Sequence, residues 1–383
     1  MIPYGRQSID DADIKAVIEV LRSDWLTTGP KVAEFEEALA RYVGAKFAVA
    51  VSSGTAALHC AMFALGIGPG HEVIVPTMTF AASANCVVYQ GGIPVFVDVA
   101  SDTLLIDPKD VETKITPQTK AIIAVDYAGQ PCDYDALKEI ADRHHLSLVA
   151  DACHSLGATY RGRSVGSLAD LSVFSFHPVK HITTGEGGMI ATDQEEYAKR
   201  LRIFRNHGIT SDHRQREAQG SWFYEMVDLG YNYRITDFQC ALGMSQLQKL
   251  PRWVERRQEI ARQYDEAFAG IKGIKPLAVK LGVRHAYHLY VVRVNQDETG
   301  IERGEFFRTL RSRGIGVNVH YIPIHLHPFY QNNYHTKRML CPMAEEAYEE
   351  IVSLPMFPMM SHEDIKKVIQ LIRETINNKS NLK

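Results

Sequence analysis

A strand-to-helix junction early in the chain has the residue types of a phosphate site. The apolar run that ends at Val51 is followed by Ser52, Ser53, Gly54 and Thr55, where a helical pattern begins. The first turn of a helix has free backbone N–H groups and the positive end of the helix dipole, so it favours a phosphate. A serine at this position is also a common helix N-cap, and for this segment alone the N-cap is the more frequent case.

Two ionisable residues follow predicted buried strands further along the chain. Asp151 ends the run LSLVAD, and Lys180 follows LSVFSF, ahead of the turn sequence ITTGEGG. Open α/β sheets place their ligands at the carboxyl ends of their strands, where Asp151 is expected. A lysine lodged at such an edge is costly to keep charged, and its neutral amine can form a Schiff base with a carbonyl group. Taken singly, a loop lysine is most often a solvated surface residue.

Considered together, these segments have one joint explanation. The phosphate site, a carboxylate at Asp151 that keeps a pyridine nitrogen protonated and an amine at Lys180 are the parts of a pyridoxal phosphate (PLP) site. The sequence therefore predicts an enzyme that uses PLP as its cofactor.

The elements that must position these residues form an alternating pattern between residues 46 and 193. The apolar runs are KFAVAV, EVIVP, PVFVDV, AIIAV, LSLVAD, LSVFSF and GGMIATD, and helical patterns separate them. This alternation predicts a mostly parallel sheet with helices on both faces. Two amphipathic helices precede the sheet, and we expect them to pack against the core. The apolar face of the first helix is formed by Ile14, Val17, Ile18 and Leu21.

The pattern changes after about residue 205. A polar stretch at 208–221 predicts a loop, and helices are expected at 236–250 and 252–268, with Pro251 starting the second one. YHLYVVRV and GVNVHY read as strands, with helices at about 302–313, 343–351 and 361–375. We therefore predict a large PLP-binding domain with an N-terminal arm over residues 1–250, and a small C-terminal domain over residues 251–383.

Composition limits the classes of partner. The 383 residues are 45% hydrophobic and 23% charged, with 42 Lys and Arg against 45 Asp and Glu. This balance argues against a nucleic acid or a membrane as the main partner. Six scattered cysteines and an acidic N-terminus without an apolar segment favour a reducing cytoplasm. The sixteen histidines lack the spacing of a metal site, so none is expected.

Five longer segments are typical of one enzyme family. They are SSGTAALH, PTMTFAASAN, DACHSLGATY, FSFHPVKHITTGEGG and LGYNYRITDFQCALG. With these segments the chain resembles, over nearly its whole length, the sugar-nucleotide aminotransferases of the DegT/DnrJ/EryC1/StrS family. The resemblance implies the α/β fold of PLP-dependent transferases of fold type I, the aspartate aminotransferase type, with a mostly parallel central sheet in a large domain and a smaller C-terminal α+β domain. It also implies L-glutamate and a nucleotide sugar as substrates.

The resemblance assigns roles to individual residues. Lys180 would carry the cofactor, and Asp151 would contact its ring nitrogen. The other implied cofactor contacts are Gly54, Thr55 and Ser175 at the phosphate, Phe80 on the ring, His154 at the 3-hydroxyl side and Asn232 at the phosphate of the neighbouring subunit. Because Asn232 would act across subunits, a homodimer with shared sites is implied.

The implied contacts to the sugar nucleotide are less specific. They are Tyr4, Asp24, Trp25, Leu26, Thr27, His320, Tyr321, Ile322, Pro323 and Ile324. Tyr4 can equally anchor the N-terminal arm, Trp25 can be a core residue, and His320 can be a strand histidine.

A narrower resemblance rests on VDYAGQP, DACHSLG, FSFHPVKHITT and VNVHYIPI. It is to family members of pseudaminic acid biosynthesis, which aminate the C4 ketone of a UDP-linked sugar; they share His154, where many other relatives have Gln. Amination at C3 or C4 of another UDP, dTDP or GDP sugar stays open, as does a non-catalytic PLP-binding regulator. Dehydratases of the family have histidine at the lysine position, so Lys180 disfavours that activity.

Overall fold

The computed structural model of the chain describes residues 1–380, so the last three residues of the predicted C-terminal domain, 381–383, lie outside the described residues. The helices are α1 Asp11–Leu21, α2 Pro30–Val43, α3 Gly54–Ala64, α4 Ala82–Tyr89, α5 Pro108–Thr113, α6 Tyr134–His144, α7 Glu195–Phe204, α8 His213–Ala218, α9 Asp237–Phe268, α10 Gln296–Thr299, α11 Arg303–Ser312, α12 Pro328–Tyr334, α13 Pro342–Glu350 and α14 His362–Ser380. The strands are β1 Phe47–Val51, β2 Glu72–Pro76, β3 Ile93–Val97, β4 Thr119–Val125, β5 Ser147–Asp151, β6 Thr159–Tyr160, β7 Arg163–Ser164, β8 Leu171–Ser175, β9 Gly188–Thr192, β10 Ile274–Pro276, β11 Val283–Arg284, β12 Tyr290–Val294 and β13 Ile351–Leu354.

The largest sheet in the described part of the chain has seven strands, in the order β1-β9-β8-β5-β4-β2-β3. Strands β3, β2, β4, β5 and β8 run parallel, and β9 lies antiparallel between β8 and β1. Each of the seven predicted apolar runs overlaps one of these strands, and most of their positions are buried, as expected for strands covered on both faces. The predicted α/β class with a mostly parallel central sheet is therefore confirmed.

The direction of the strands brings several chain ends to one edge of the sheet. Because β9 is antiparallel to both of its neighbours, β1 runs in the same direction as β8. The carboxyl ends of β1, β2, β5 and β8 therefore lie at the same edge. This edge receives the phosphate-site junction, the segment after β2, Asp151 and the turn that carries Lys180.

A single helix, α9, spans residues 237–268, so the predicted break between two helices at Pro251 is wrong. Proline in a helix interior costs about 3 kcal/mol because it removes one hydrogen bond and crowds the preceding turn. Leu250 and Val254 on either side are fully buried, and each such side chain contributes about 1.5–3 kcal/mol. The free energy gained by burying these two side chains thus offsets the cost of the proline, and the helix continues. Since α9 continues across residue 250, the division into residues 1–250 and 251–383 stays a prediction.

In the described part of the chain, buried apolar side chains form two clusters. The larger cluster surrounds the seven-stranded sheet, and the smaller one lies between the carboxyl-terminal half of α9, α11, α14 and the antiparallel sheet β10-β12-β13. The second cluster thus has the α+β character predicted for the carboxyl-terminal part. Residues from this part reach the edge of the large sheet where the functional side chains meet.

Two further predictions for the second half of the chain are wrong. Residues 316–321 are not a strand: Gly316 donates its N–H to Ile2 O (2.7 Å), and Asn318 makes only an isolated bridge to Ser353. The segment is thus shared between the N-terminal arm, which bonds Gly316, and β13, which bonds Asn318, and it joins neither as a continuous strand. The polar stretch 208–221 contains α8, which a capping box between Asp212 and Gln215 starts.

The first helix packs on an unexpected side. Asp13 of α1 is fully buried, where it accepts hydrogen bonds from Ser245 Oγ (2.6 Å) and Gln246 Nε2 (2.7 Å) of α9 and pairs with Lys249 (2.8 Å). The predicted packing of the apolar face is wrong, because these polar contacts turn it outward. Its exposed residues are Ile14, Ile18 and Leu21. None of the helices within residues 1–380 is both long and apolar enough to cross a bilayer.

Candidate active site

A cavity of about 530 Å³ opens at the carboxyl edge of the large sheet. It lies between the ends of β1, β2, β5 and β8 on one side and residues 318–321 on the other. Seven of the eight predicted cofactor residues line it: Gly54, Thr55, Phe80, Asp151, His154, Ser175 and Lys180.

The start of α3 provides the predicted phosphate cradle, which we define as the N–H groups of Gly54 and Thr55 with the hydroxyl of Ser175. Ser53 is the N-cap, and it accepts hydrogen bonds from Ala56 N–H through Oγ (3.0 Å) and from Ala57 N–H through its carbonyl (3.0 Å). The two preceding N–H groups, of Gly54 and Thr55, have no intrahelical acceptor, and both residues line the cavity. The N-cap and phosphate interpretations are therefore compatible, because Ser53 is the N-cap and the cradle remains available for a phosphate.

The close approach of β8 explains the glycine at position 54. A Cβ atom there would lie 2.8 Å from Ser175 Cβ and 3.1 Å from Ser175 Oγ. Any side chain would therefore push the β8 end away from the helix start and widen the cradle.

We expect Gly54→Ala to weaken PLP binding by about tenfold or more, because overpacking of this kind costs about 1–3 kcal/mol. Titration of the apoprotein with PLP, followed by absorbance, measures the dissociation constant. Gly68→Ala is the matched control, since a Cβ at Gly68 would meet nothing within 4 Å. Equal affinities for the two variants would contradict the cradle.

Asp151 is buried at the end of β5 with both carboxylate oxygens oriented. Ser83 Oγ donates to its Oδ2 (2.6 Å), and Cys153 N–H donates to its Oδ1 (3.3 Å). Thr79 Oγ1 lies 2.8 Å from the Ser83 hydroxyl and extends this network. A buried carboxylate is costly unless it is paired and hydrogen-bonded, so this site suits a protonated ring nitrogen.

Lys180 lies in the turn after β8, partly buried in the cavity wall. Burial lowers the pKa of its amine, and the nearby Cys153 and Asp151 oppose this shift only in part. Among residues 1–380, no acceptor forms a hydrogen bond with Lys180 Nζ. The amine is therefore available, and a larger fraction of it is neutral than at an exposed lysine.

His154 is a buried neutral histidine beside these groups. Its Nε2 lies 3.2 Å from Tyr321 Oη, whereas its Nδ1 has no hydrogen-bond partner within the described residues. Burial lowers the pKa of His154 well below its usual value, and the charge of Lys180 adds to the effect. A buried ring nitrogen without a partner costs free energy, so the site suits a ligand that supplies one.

These residues fit pyridoxal phosphate. The cradle suits the phosphate, Asp151 suits the ring nitrogen, Lys180 supplies a primary amine, and His154 has an unused ring nitrogen in the same cavity. Phe80 is exposed at the mouth, with its ring 6.0 Å from that of Tyr321.

The predicted sugar-nucleotide residues divide into two groups. Tyr4, His320 and Tyr321 line the cavity, and the rings of Tyr4 and His320 are 5.4 Å apart. The next residues leave it: Ile322 is exposed, and Ile324 is buried with its N–H donating to Thr77 O (2.9 Å). Pro323 is also buried away from the cavity.

The remaining predicted residues lie elsewhere on this chain. Leu26 O accepts the N–H of Asp237, and Thr27 bridges to Thr236, so residues 24–27 lie beside the start of α9. Trp25 lines a separate groove of about 790 Å³. Asn232 bridges to Asn206 and does not line the cavity.

The structure also brings in residues that sequence reasoning missed. Ser83 and Thr79 orient Asp151, Tyr127 Oη donates to His320 O, and Asn318 and His288 line the cavity. Ser83 and Thr79 lie in the segment PTMTFAASAN, which is typical of the family and could have indicated that they belong to the site. His288 lies outside all of the family segments, so the sequence around it gave no indication that it belongs to the site.

Comparisons with known proteins identify the family of the chain. The chain matches the DegT/DnrJ/EryC1/StrS aminotransferase family over residues 7–373. It is 43% identical over 377 residues to the spore coat polysaccharide biosynthesis protein SpsC of Bacillus subtilis, covering 98% of this chain and 97% of that protein. Spr1654 of Streptococcus pneumoniae, assigned as a sugar aminotransferase and solved in its PMP form, superimposes with a TM-score of 0.93 at 36% identity, covering 99% of this chain and 100% of that chain.

Another solved relative is PseC of Helicobacter pylori, an aminotransferase involved in the biosynthesis of pseudoaminic acid. It superimposes with a TM-score of 0.92 at 33% identity, covering 98% of this chain and 99% of that chain. The chain therefore belongs to the DegT/DnrJ/EryC1/StrS aminotransferase family. It is a PLP-dependent sugar aminotransferase of fold type I, which confirms the predicted family, fold and cofactor.

Proposed function

We propose that this enzyme transfers the amino group of L-glutamate to the C4 ketone of UDP-2-acetamido-2,6-dideoxy-β-L-arabino-hex-4-ulose. The product would be UDP-4-amino-4,6-dideoxy-N-acetyl-β-L-altrosamine, an intermediate of pseudaminic acid biosynthesis. The main support for an aminotransferase reaction is that Lys180, Asp151 and the phosphate cradle line the same cavity. The similarity to PseC over 98% of the chain supports the particular sugar.

A second candidate is amination of another keto nucleotide sugar. The chain is more similar in sequence to SpsC, at 43% identity, than to PseC, at 33%. The alternatives are C3 or C4 ketones of UDP, dTDP or GDP sugars. Lys180 and Asp151, which act on the amino group, do not determine which nucleotide is bound. A regulator without catalysis is disfavoured, since it has no need of the free amine of Lys180.

Each residue has a role in the proposed chemistry. Bound PLP supplies an electron sink for the carbon that loses a proton. The amine of Lys180 would take the Cα proton of glutamate and donate a proton later in the reaction, and its proximity would make both transfers effective. Asp151 keeps the ring nitrogen protonated, and Ser83 and Cys153 hold its carboxylate in place for this.

Replacement of the amine tests the reaction itself. Lys180→Ala should lose about 10²-fold or more in turnover, because it removes the general base and the covalent attachment. Steady-state assay with glutamate measures this, with Lys180→Arg as the control that keeps a positive charge but no suitable base. Appreciable turnover by either variant would show that another group acts.

The choice of sugar has its own test. With glutamate as donor, we expect kcat/KM for the UDP-linked 4-keto sugar to exceed that for dTDP- and GDP-linked keto sugars by about tenfold or more. Mass spectrometry identifies the aminated product, and NMR gives the position and configuration of the new amine. An equal or higher kcat/KM for a dTDP sugar, or amination at C3, would contradict the proposed substrate.

We also propose that the enzyme acts as a cytoplasmic homodimer with shared sites. Two exposed apolar surfaces support it: the face of α1 and the segment 222–229, where Trp222, Met226 and Leu229 are exposed. Apolar areas of this kind mark protein interfaces. Residues 24–27 and Asn232 lie outside the cavity of their own chain, so their predicted contacts to ligand require a second copy. The described cysteines are all free thiols, which suits a reducing compartment.

Mixed dimers test the shared site. Lys180→Ala and Asn232→Asp chains should each be nearly inactive, the second because a carboxylate repels the phosphate. Their mixed dimer contains one site with both native residues, so random mixing should restore about a quarter of wild-type activity. A mixture of Lys180→Ala with Asp151→Ala is the control, because both changes lie in one chain's cavity and no site is restored. Restoration in the control, or its absence in the first mixture, would contradict the shared site.

A further inference from the structure

Three segments meet beside the cavity with almost no space between their backbones. Gly129 has φ +105°, and a Cβ there would lie 2.7 Å from His154 O, 2.8 Å from His288 N and 2.9 Å from Tyr287 N. The turn 127–130, the turn after β5 that carries His154 and the segment 285–289 are therefore packed backbone against backbone. No residue but glycine fits this position without moving His154 or His288.

The side chains of His154 and His288 continue this contact into the cavity wall. Their ring centroids are 4.3 Å apart with a tilt of 39°, and both side chains are buried. His154 meets Tyr321 Oη through Nε2 at 3.2 Å. Its ring is therefore held by His288 and Tyr321 together, and its Nδ1 is left without a partner in the described structure.

The segment that carries His288 is itself immobilised. Ala286 N–H donates to Gly129 O (3.0 Å), and Leu289 N–H donates to Ala128 O (3.1 Å). The fully buried Arg257 of α9 donates through Nη1 to Tyr287 O (3.0 Å), and also to Met356 O (2.9 Å). Charge-assisted hydrogen bonds of this kind are the stronger ones, so the long helix anchors the histidine to the core.

The contact between the two histidines is one of neutral rings. Burial lowers the pKa of both His154 and His288 well below the usual value, and the charge of Lys180 adds to each shift. Two positively charged groups lie nearby on the packed elements, Lys180 and Arg257. His181 and His320 also lie nearby, and both are neutral. His288 therefore acts on His154 by shape and packing rather than by charge.

We propose that His288 is a positioning residue, whose ring sets the plane of the His154 ring against the cofactor. The inference rests on the proposed role of His154 at the 3-hydroxyl side of PLP. A ring held on one face by a flat, buried neighbour loses little entropy on binding and keeps its unused nitrogen in one orientation. Removal of the neighbour leaves a cavity into which the His154 ring can rotate.

The test compares three variants of the holoenzyme. His288→Leu removes the flat ring, His288→Phe keeps one, and His285→Leu is the control, because His285 is buried in the same segment but stacks on Tyr287 (3.9 Å) outside the cavity. The readouts are the dissociation constant of PLP, the pH titration of bound-cofactor absorbance without substrate, and kcat with KM for glutamate.

We expect His288→Leu to weaken PLP binding and lower kcat by about tenfold each, with the titration midpoint shifted and KM little changed. His288→Phe should recover most of these values, and His285→Leu should lower only the melting temperature. A wild-type titration curve in His288→Leu, or equal effects of His288→Leu and His285→Leu, would overturn the inference. If His288→Leu fails to fold, His288→Phe carries the test, and a shifted midpoint in that variant would overturn it.

The same experiment separates this inference from the proposed function. Wild-type protein that binds PLP and converts it with glutamate, together with unaffected His288 variants, would leave the function standing and remove the positioning role. Wild-type protein that shows no such conversion would contradict the function itself.

Discussion

The arrangement of the site depends on the register of the parallel strands at the centre of the sheet. In that register Asp151 lies opposite Val125 of β4 and Val173 of β8, so its carboxylate emerges two residues before β8 ends at Ser175. Because β9 is antiparallel to β1 and β8, the helix start at Gly54 reaches the same edge from the far side of β8. A shift of one residue in this register would turn the carboxylate to the other face of the sheet.

Polar contacts over long sequence distances then decide how the surrounding elements dock. Asp13 holds α1 on α9, and Arg257 holds the segment of His288 and Met356 on the same helix. These two contacts have opposite consequences. The first turns the apolar face of α1 outward, and the second keeps His288 beside the cavity.

The parts that could be predicted from sequence share a physical reason. Strands buried on both faces require continuous apolar runs, so the seven runs stood out; Asp151 ends one of them, and Lys180 lies in the turn after another. The parts that could not be predicted depend on partners far away in the chain. Pro251 is tolerated because Leu250 and Val254 are buried. Residues 316–321 do not form a strand, since the N–H group of Gly316 donates to Ile2 of the N-terminal arm instead.

The sequence by itself determined the class of protein and its cofactor, because the helix start at Gly54, the carboxylate of Asp151 and the amine of Lys180 each lie in a short local segment. The tertiary structure alone decided what holds those residues. Ser83 meets Asp151 across 68 positions, and Tyr321 meets His154 across 167. It also decided that residues 24–27 and Asn232 lie outside the cavity of their own chain, because contacts between distant segments arise only when the chain is packed.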